Sequence, residues 1–233
     1  MKQFKTELHC HSGIVSACGR ISPERIVERF VEAGYTTLVL TEHLSRSTFD
    51  VANYGGGADW QERMDFYLSA YKNLCHVAEN KLHVLLGCEV RLDHHTSSDY
   101  LIYGVDESFL RGHTALTSYS LSALSQVVHK AGGLLIQAHP FRNDMLVTNP
   151  QRIDGIEVFN GNPHALSRND VAEYWAARFP MIRTSGSDLH LHDDPISGGI
   201  LTDAPITTNK ELVETLKSGN YSLLSDPRVL RQE

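Results

Sequence analysis

Seven residues of metal-ligand type recur at the ends of short apolar runs. His9 and His11 stand one residue apart in "ELHCHS", and His43 closes "LTEH". Glu89 lies in "GCEV", His139 in "QAHP", and Asp188 and His190 in "GSDLH". Imidazole mixed with carboxylate suits zinc, manganese or iron, whereas carboxylates alone would suit magnesium or calcium. Residues i and i+2 of a strand face one side, so His9 and His11 point together while Cys10 points away. Asp188 and His190 repeat that spacing. Each piece has an ordinary reading: a lone H-x-H is common, "HP" often just ends a strand, and Glu89 or Asp188 could sit in a turn. Five strand ends carrying the same chemical types point instead to one metal centre. The remaining histidines lack such company. His129 falls on a predicted helix, His76 and His83 have no matching partner, His94 and His95 lie in a polar loop, and His192 lies in an acidic one.

The elements that would position these residues alternate. "KTELH" reads as a strand. "SPERIVERFVEAG" reads as a helix with Ser22 as N-cap, Pro23 in the first turn and Gly34 at its end. "TTLVLTEH" is a β-branched apolar run, typical of a strand buried on both faces. A polar loop, "LSRSTFDVANYGGGA", precedes a helix that begins at Asp59 with Glu62 placed for a capping box. Trp60, Met64, Tyr67, Tyr71, Leu74 and Ala78 follow at helical spacing. "LHVLLGCEV" and "DYLIYGV" are predicted strands three and four, and "LSALSQVVHKAGG" a helix. "LLIQAHP", "IDGIEVFNG" and "MIRTSGSD" are strands five to seven, with a helix around "SRNDVAEYWAARF". "NKELVETLKSGN" is a final helix. Alternation of this kind implies a mostly parallel α/β sheet. Convergence of the ligand types favours a barrel, whose strand ends meet at one rim, over an open sheet. The loop "FDVANYGGGAD" is long for a strand-to-helix connection, and is expected to cover part of that rim and shape substrate choice.

Composition restricts the function. At 233 residues and 41% hydrophobic, residues 1–233 read as a single globular domain. A formal charge of -7 argues against extended nucleic-acid binding, though not against a small phosphorylated substrate. No signal-like or membrane-spanning run is visible, and the four cysteines form no C-x-x-C pair. The expectation is a cytoplasmic protein with free thiols and no membrane partner; nothing in the sequence indicates oligomeric state. Neither a G-x-G-x-x-G nor a P-loop follows a predicted strand.

The stretches "ELHCHS", "LTEH", "GCEV", "QAHP", "GIEVFNG" and "GSDLH" together resemble the PHP (polymerase and histidinol phosphatase) superfamily of metal-dependent phosphoesterases. The resemblance extends from Glu7 to His190. It implies a distorted (β/α)7 TIM-like barrel with two or three divalent metal ions (Zn, Mn or Fe) at its C-terminal rim. One ion would be held by His9, His11, Glu89 and Asp188. Glu89 would bridge to a second that also uses His139, and a third would be held by His43 and His190. Two positions depart from the family pattern. Asp99 in "SSDYLIYG" stands where many members have a histidine ligand. "GIVSACGR" offers only Ser16 or Cys18 where many carry an Asp or His. Cys18 is either a thiolate ligand or a buried structural cysteine. Glu42, in "TEH" where "TDH" is commoner, is expected to orient a histidine.

The reaction this suggests is hydrolysis of a small phosphate ester by metal-activated water, with Glu89 and Asp188 in the centre. Arg142 in "HPFRN" is the first candidate to hold the phosphate, followed by Arg20 and Arg91. No residue stands out as general acid. A metal-dependent amidohydrolase is the alternative, but such enzymes generally use a carboxylated lysine at a strand end, and none ends a predicted strand here. A non-catalytic metal-binding scaffold is the third reading.

Overall fold

A computed structural model of the chain describes residues 3–52, 54, 57–94 and 98–226. The strands are β1 (Phe4–Cys10), β2 (Tyr35–Leu40), β3 (His43–Leu44), β4 (His83–Leu86), β5 (Cys88–Arg91), β6 (Asp99–Tyr103), β7 (Leu134–Gln137), β8 (Gly155–Asn160), β9 (Ile182–Gly186), β10 (Ile200–Thr202) and β11 (Ser222–Leu223). The helices are α1 (Pro23–Glu32), α2 (Arg46–Val51), α3 (Trp60–Ala78), α4 (Glu107–Gly112), α5 (Leu121–Lys130), α6 (Asn169–Ala176) and α7 (Asn209–Ser218).

Helix boundaries follow their caps. Ser22 accepts from the Arg25 N–H ahead of α1, and Gly34, at φ +77°, takes the chain out of it. Asp59 and Glu62 close a reciprocal capping box on α3, as their spacing predicts. Among the positions at helical spacing on α3, Met64, Tyr67, Leu74 and Ala78 are buried. The predicted loop after strand two is partly helical instead. Ser45 and Thr48 form a second capping box, which starts α2 inside it. Gly55 and Gly56 of the expected rim-covering segment lie outside the described residues.

The strands form two sheets rather than one run of seven. The first has the order β11-β10-β1-β2-β4 and the second β3-β5-β6-β7-β8-β9. "LHVLLGCEV", predicted as one strand, is divided at Gly87 into β4 in the first sheet and β5 in the second. A Cβ at Gly87 would meet Val39 Cγ1 at 2.8 Å, so only glycine lets the backbone pass β2 there. The sheets are joined at this flank by Gly87 N–H donating to Leu40 O (2.9 Å) and Glu89 N–H to Glu42 O (3.0 Å). At the opposite flank Asp188 N–H donates to His9 O (2.8 Å) and His11 N–H to Leu189 O (3.0 Å). Pairing is parallel for β1–β2, β2–β4, β3–β5, β7–β8 and β8–β9, but β6 runs antiparallel to both β5 and β7. Consequently the start of β6, not its end, lies beside the ends of its neighbours.

Two apolar clusters fix this arrangement. One contains Leu8, Val39 and Leu85 from the first sheet together with Leu101, Tyr103, Leu134 and Ile136 from the second, with Leu212 and Leu216 of α7 against them. The Tyr103 hydroxyl crosses between sheets to donate to Leu8 O at 3.0 Å. The other cluster holds α1, α3, α5 and α6 on the outer faces through Ile26, Phe30, Met64, Leu68, Leu124, Val128 and Ala172. Among the described residues no helix is long and apolar enough to cross a membrane.

Candidate metal centre

All the seven residues singled out first converge on one buried cluster. Glu89 is its hub. Its Oε2 lies 2.8 Å from His43 Nδ1, 3.3 Å from His11 Nε2 and 3.4 Å from His9 Nε2, while Oε1 lies 3.0 Å from His139 Nε2. The two oxygens thus face different histidines, the arrangement a bridging carboxylate needs. His43 and Glu89 meet because they are register partners across β3 and β5. Asp188 Oδ1 lies 3.3 Å from both His9 Nε2 and His11 Nε2, and 3.4 Å from His190 Nδ1. Two ligands at right to tetrahedral angles about an ion, with bonds of about 2.1 Å, stand roughly 3.0–3.4 Å apart. The four contacts of His9 and His11 with Glu89 and Asp188 have that size, so these donors fit a metal ion without rearrangement.

Hydrogen bonds behind the cluster set the tautomers. His9 Nδ1 lies 2.9 Å from Glu157 Oε1, so the imidazole donates there and turns the Nε2 lone pair to the cluster. Ser16 Oγ donates to Glu42 Oε2 and therefore accepts from His11 Nδ1 (3.2 Å) and from His43 N–H (3.1 Å). Glu42 thus orients His11 through Ser16, which accounts for its carboxylate in "TEH". His190 Nδ1 donates to Asp188 O at 2.9 Å. Both His9 Nε2 and His11 Nε2, like His139 Nδ1, are buried without a hydrogen-bond partner. Orphaned buried polar atoms are costly, and two imidazole nitrogens aimed at two carboxylates are the donors a cation would use.

The electrostatics agree. Burial works against charge on His9, but Asp188, Glu157 and Glu89 raise its pKa well above the ordinary imidazole value. Burial likewise opposes ionisation of Glu89 and Asp188, yet His43 and His9 for the first, and His9 and Arg142 for the second, hold both well below the usual carboxylate range. His190 is pushed up to about 9 against burial, chiefly by Asp188. Protons on these imidazoles supply positive charge to the carboxylates, and a divalent ion would supply the same.

Backbone strain marks the same place. His139 and Asp188 adopt positive φ (30° and 51°), which is costly outside glycine and is typical of functional sites. Gly186, just before Asp188, has no room for a side chain: a Cβ would meet His9 Cβ at 2.3 Å and Glu157 Oε1 at 2.7 Å.

Asp99 is buried and near Glu89 and His139, its ligand-type atom lying within 4.8 Å of theirs. It is also gripped by Arg91 through two 2.6 Å bonds, Nε to Oδ1 and Nη2 to Oδ2. The pair forms because Arg91 and Asp99 are register partners across β5 and β6. Arg142 Nη2 reaches Asp188 Oδ2 (2.5 Å) and Asn160 Oδ1 (2.6 Å), and Nε reaches Ser167 Oγ (3.2 Å). Arg20 has an exposed side chain, and its main-chain N–H donates to His190 O at 2.8 Å. Cys18 is exposed, which removes the buried structural reading, and its thiol lies within hydrogen-bonding reach of His43 and His190. Burial raises its pKa, but those two histidines bring it down to about 5. His129 stays outside, paired with Asp154, and His94 is exposed; His95 lies outside the described residues.

Several supporting residues escaped the sequence reading. Besides holding His9, Glu157 accepts from His139 N–H at 3.0 Å and from Asn160 Nδ2 at 2.8 Å. Asn162 Nδ2 donates to Asp188 O at 3.2 Å. Glu7 accepts the N–H groups of Leu8, His9 and Ser187, although burial still lifts its pKa to about 7. His164 Nε2 sits 2.7 Å from Asp194 Oδ1, and Asp194 Oδ2 accepts His190 N–H at 2.9 Å. A carboxylate inside an apolar strand, as in "GIEVFN" and "KTELH", was the available signal for Glu157 and Glu7.

Comparison with known proteins places this geometry. A family model described as PHP domain matches residues 7–179. PsfC from Pseudomonas syringae has a similar structure, with a TM-score of 0.70 at 16% identity, covering 99% of this chain and 96% of that one. A two-domain protein from Bacteroides vulgatus, described as containing a predicted PHP-like metal-dependent phosphoesterase, gives 0.64 at 16% identity, covering 99% of this chain and 68% of that one. An amidohydrolase from Chromobacterium violaceum with bound sulfate gives 0.60 at 17% identity, covering 96% and 99%. At these identities the structural likeness concerns the fold alone. No curated protein sequence matches the chain closely.

Proposed function

This chain belongs to the PHP domain family, and from that membership we propose that it hydrolyses a small phosphomonoester at the histidine and carboxylate cluster. We read residues 1–233 as one domain, a distorted barrel formed where the two sheets meet at both flanks. The reading rests above all on one observation: His9 Nε2 and His11 Nε2 are buried without a hydrogen-bond partner and converge on the carboxylates of Glu89 and Asp188.

His9, His11, Glu89 and Asp188 would hold one ion, and Glu89 with His139 and Asp99 a second. Bound there, such ions lower the pKa of a water toward about 7 and offset charge on the phosphoryl oxygens. The protein's own groups do the rest. Glu157 and Ser16 keep His9 and His11 in the ligating tautomer. Arg142 steadies Asp188 through Nη2, and among the described residues its Nη1 has no protein partner. That N–H pair is our donor for a substrate oxygen. Arg91 is committed to Asp99, so its role is to hold that carboxylate rather than the phosphate. His164, exposed and aligned by Asp194, is our candidate to protonate the leaving oxygen.

The amidohydrolase reading draws on the Chromobacterium violaceum neighbour. Against it, Lys5, the lysine on β1, turns its Nζ to Ala33 O at 2.8 Å and away from the centre. Turnover decides among the readings, including the non-catalytic one. The metal-reconstituted protein is expected to release phosphate from members of a phosphomonoester panel. Amide hydrolysis with no phosphate release, or no turnover of any kind by metal-replete protein, would overturn the proposal.

A further inference from the structure

Ser167, Arg168 and Asn169 lead into α6, and each of them binds at or next to Arg142. Ser167 Oγ accepts from Arg142 Nε at 3.2 Å. Arg168 grips the loop on either side of Arg142: its Nη1 donates to Phe141 O at 2.7 Å and its Nη2 to Asn143 Oδ1 at 2.6 Å. Asn169 pairs with the main chain of Asn160, accepting its N–H at 2.9 Å and donating to its carbonyl at 3.0 Å. Asn160 Oδ1 in turn accepts from Arg142 Nη2 at 2.6 Å. One tripeptide therefore holds the Arg142 guanidinium, its loop and one of its acceptors.

Arg168 is otherwise ill suited to its position. Its backbone is left-handed, at φ 49° and ψ 53°, a region where glycine or asparagine would be less costly. It is also the N-cap of α6 yet makes no side-chain cap bond, because a guanidinium has no acceptor to offer the first-turn N–H groups. Backbone cost of this kind persists only where the surroundings over-determine the conformation. Here the bonds to Phe141 and Asn143 do so, joining the segment before α6 to the loop after β7.

We propose that Arg168 is a positioning residue for Arg142: by clamping Phe141 and Asn143 it holds the guanidinium where Nη1 is left for a substrate oxygen. The inference rests on reading Arg142 as the phosphate donor. Ser167, Asn160 and Asp188 engage Nε and Nη2, and the clamp keeps the Arg142 backbone in register with them. Lysine at 168 is a poor substitute, because one ammonium lacks the planar fork that spans a carbonyl and an amide. Phe141 also packs edge-on against Trp175 of α6, with ring centroids 6.1 Å apart. The loop thus keeps an attachment to the helix when the clamp is removed, and what is lost is the placement of Arg142 within it.

Nuclear magnetic resonance of isotope-labelled arginine reads this placement without reference to activity, with the Arg142 signals assigned by their loss in Arg142→Lys. The wild type is expected to show separate, slowly exchanging Nη signals for Arg142, because its guanidinium is held at Nε and Nη2. Arg168→Ala should merge them. Arg168→Gly relieves the left-handed backbone and so controls for folding; it should merge them as well while melting no lower than Arg168→Ala. Kinetics of the metal-loaded protein on the best substrate of a phosphomonoester panel, p-nitrophenyl phosphate included, give the second readout. Arg168→Ala should lower kcat/KM at least about fivefold in the wild-type background and less than about twofold where Arg142 is already alanine. A freely rotating Arg142 guanidinium in the wild type, resolved Nη signals in both Arg168 variants, or an equal change of kcat/KM in the two backgrounds would overturn the clamp. No turnover of the panel by the wild type would overturn the proposed hydrolysis instead, and the resonance signals alone would then decide the clamp.

Discussion

Replacing Glu157 by glutamine tests whether the groups behind the ligands matter as much as the ligands. The change conserves shape and removes only charge and one acceptor. In the wild type, Oε1 accepts from His9 Nδ1 at 2.9 Å, and Oε2 accepts from His139 N–H and Asn160 Nδ2 at 3.0 and 2.8 Å. The amide has two orientations, and both fail. With its oxygen toward His9, its NH2 faces two other donors, which loses two buried hydrogen bonds. With its NH2 toward His9, Nδ1 must become the acceptor, and the imidazole proton moves to Nε2, the atom aimed at the metal. The first orientation costs roughly 1–3 kcal/mol of folding stability through donors left unsatisfied. The second blocks ligation. Loss of a carboxylate behind a ligating histidine typically costs about 10–100-fold in metal affinity, or roughly 1.4–2.8 kcal/mol. Glu157→Gln should therefore bind metal at least about tenfold more weakly in chelator competition at fixed pH, while far-ultraviolet circular dichroism remains native. His129→Ala, remote on α5, should leave affinity unchanged. Affinity within about twofold of wild type in Glu157→Gln would refute the tautomer argument.

Gly186→Ala should be far worse than an ordinary strand substitution, because the new methyl lands on His9 and Glu157; metal analysis and thermal unfolding should both register the loss. Arg142→Lys and Arg142→Ala should each lower kcat/KM at least about tenfold, since neither can hold Asp188 and a substrate oxygen with one planar fork; wild-type kinetics in either would remove Arg142 from the site. The metal-free and metal-loaded proteins should differ in pH dependence. Glu7, raised to about 7, and His190, raised to about 9, stabilise the metal-free fold most when protonated. Their contributions are therefore lost as pH rises from about 4.5 to 7 and from about 6.5 to 9 respectively. Glu89 and Asp188, both lowered, lose theirs as acid takes pH below the ordinary carboxylate range. The chelator-treated protein should thus melt at progressively lower temperature from about pH 5 to 9, whereas added metal should stabilise increasingly over that interval because it must displace the His190 proton. Parallel melting curves with and without metal would contradict this.

Most of the candidate ligand set was legible in the chain because each of its residues carries local information. A histidine or carboxylate that ends an apolar β-branched run is a contradiction in burial terms, and a strand's two-residue period aims His9 and His11 the same way whatever the fold around them. Helix starts at Ser22 and Asp59 were legible for a similar reason, since a cap is a contact across three residues. Contacts between distant segments carry no such signature. That "LHVLLGCEV" breaks at Gly87 depends on how closely β2 approaches, and that Asp99 reaches the centre depends on β6 running antiparallel. Arg91 looked like a free phosphate fork until register placed it opposite Asp99. Glu157 lies 148 residues from the histidine it orients, and Cys18 meets His190 only because β1 and the segment after β9 share backbone hydrogen bonds. Local periodicity and capping thus determined which residues could ligate and where most elements begin. Strand direction, register and the junctions between the two sheets decided which side chains meet, because those are set by packing across the whole chain rather than by any stretch of it.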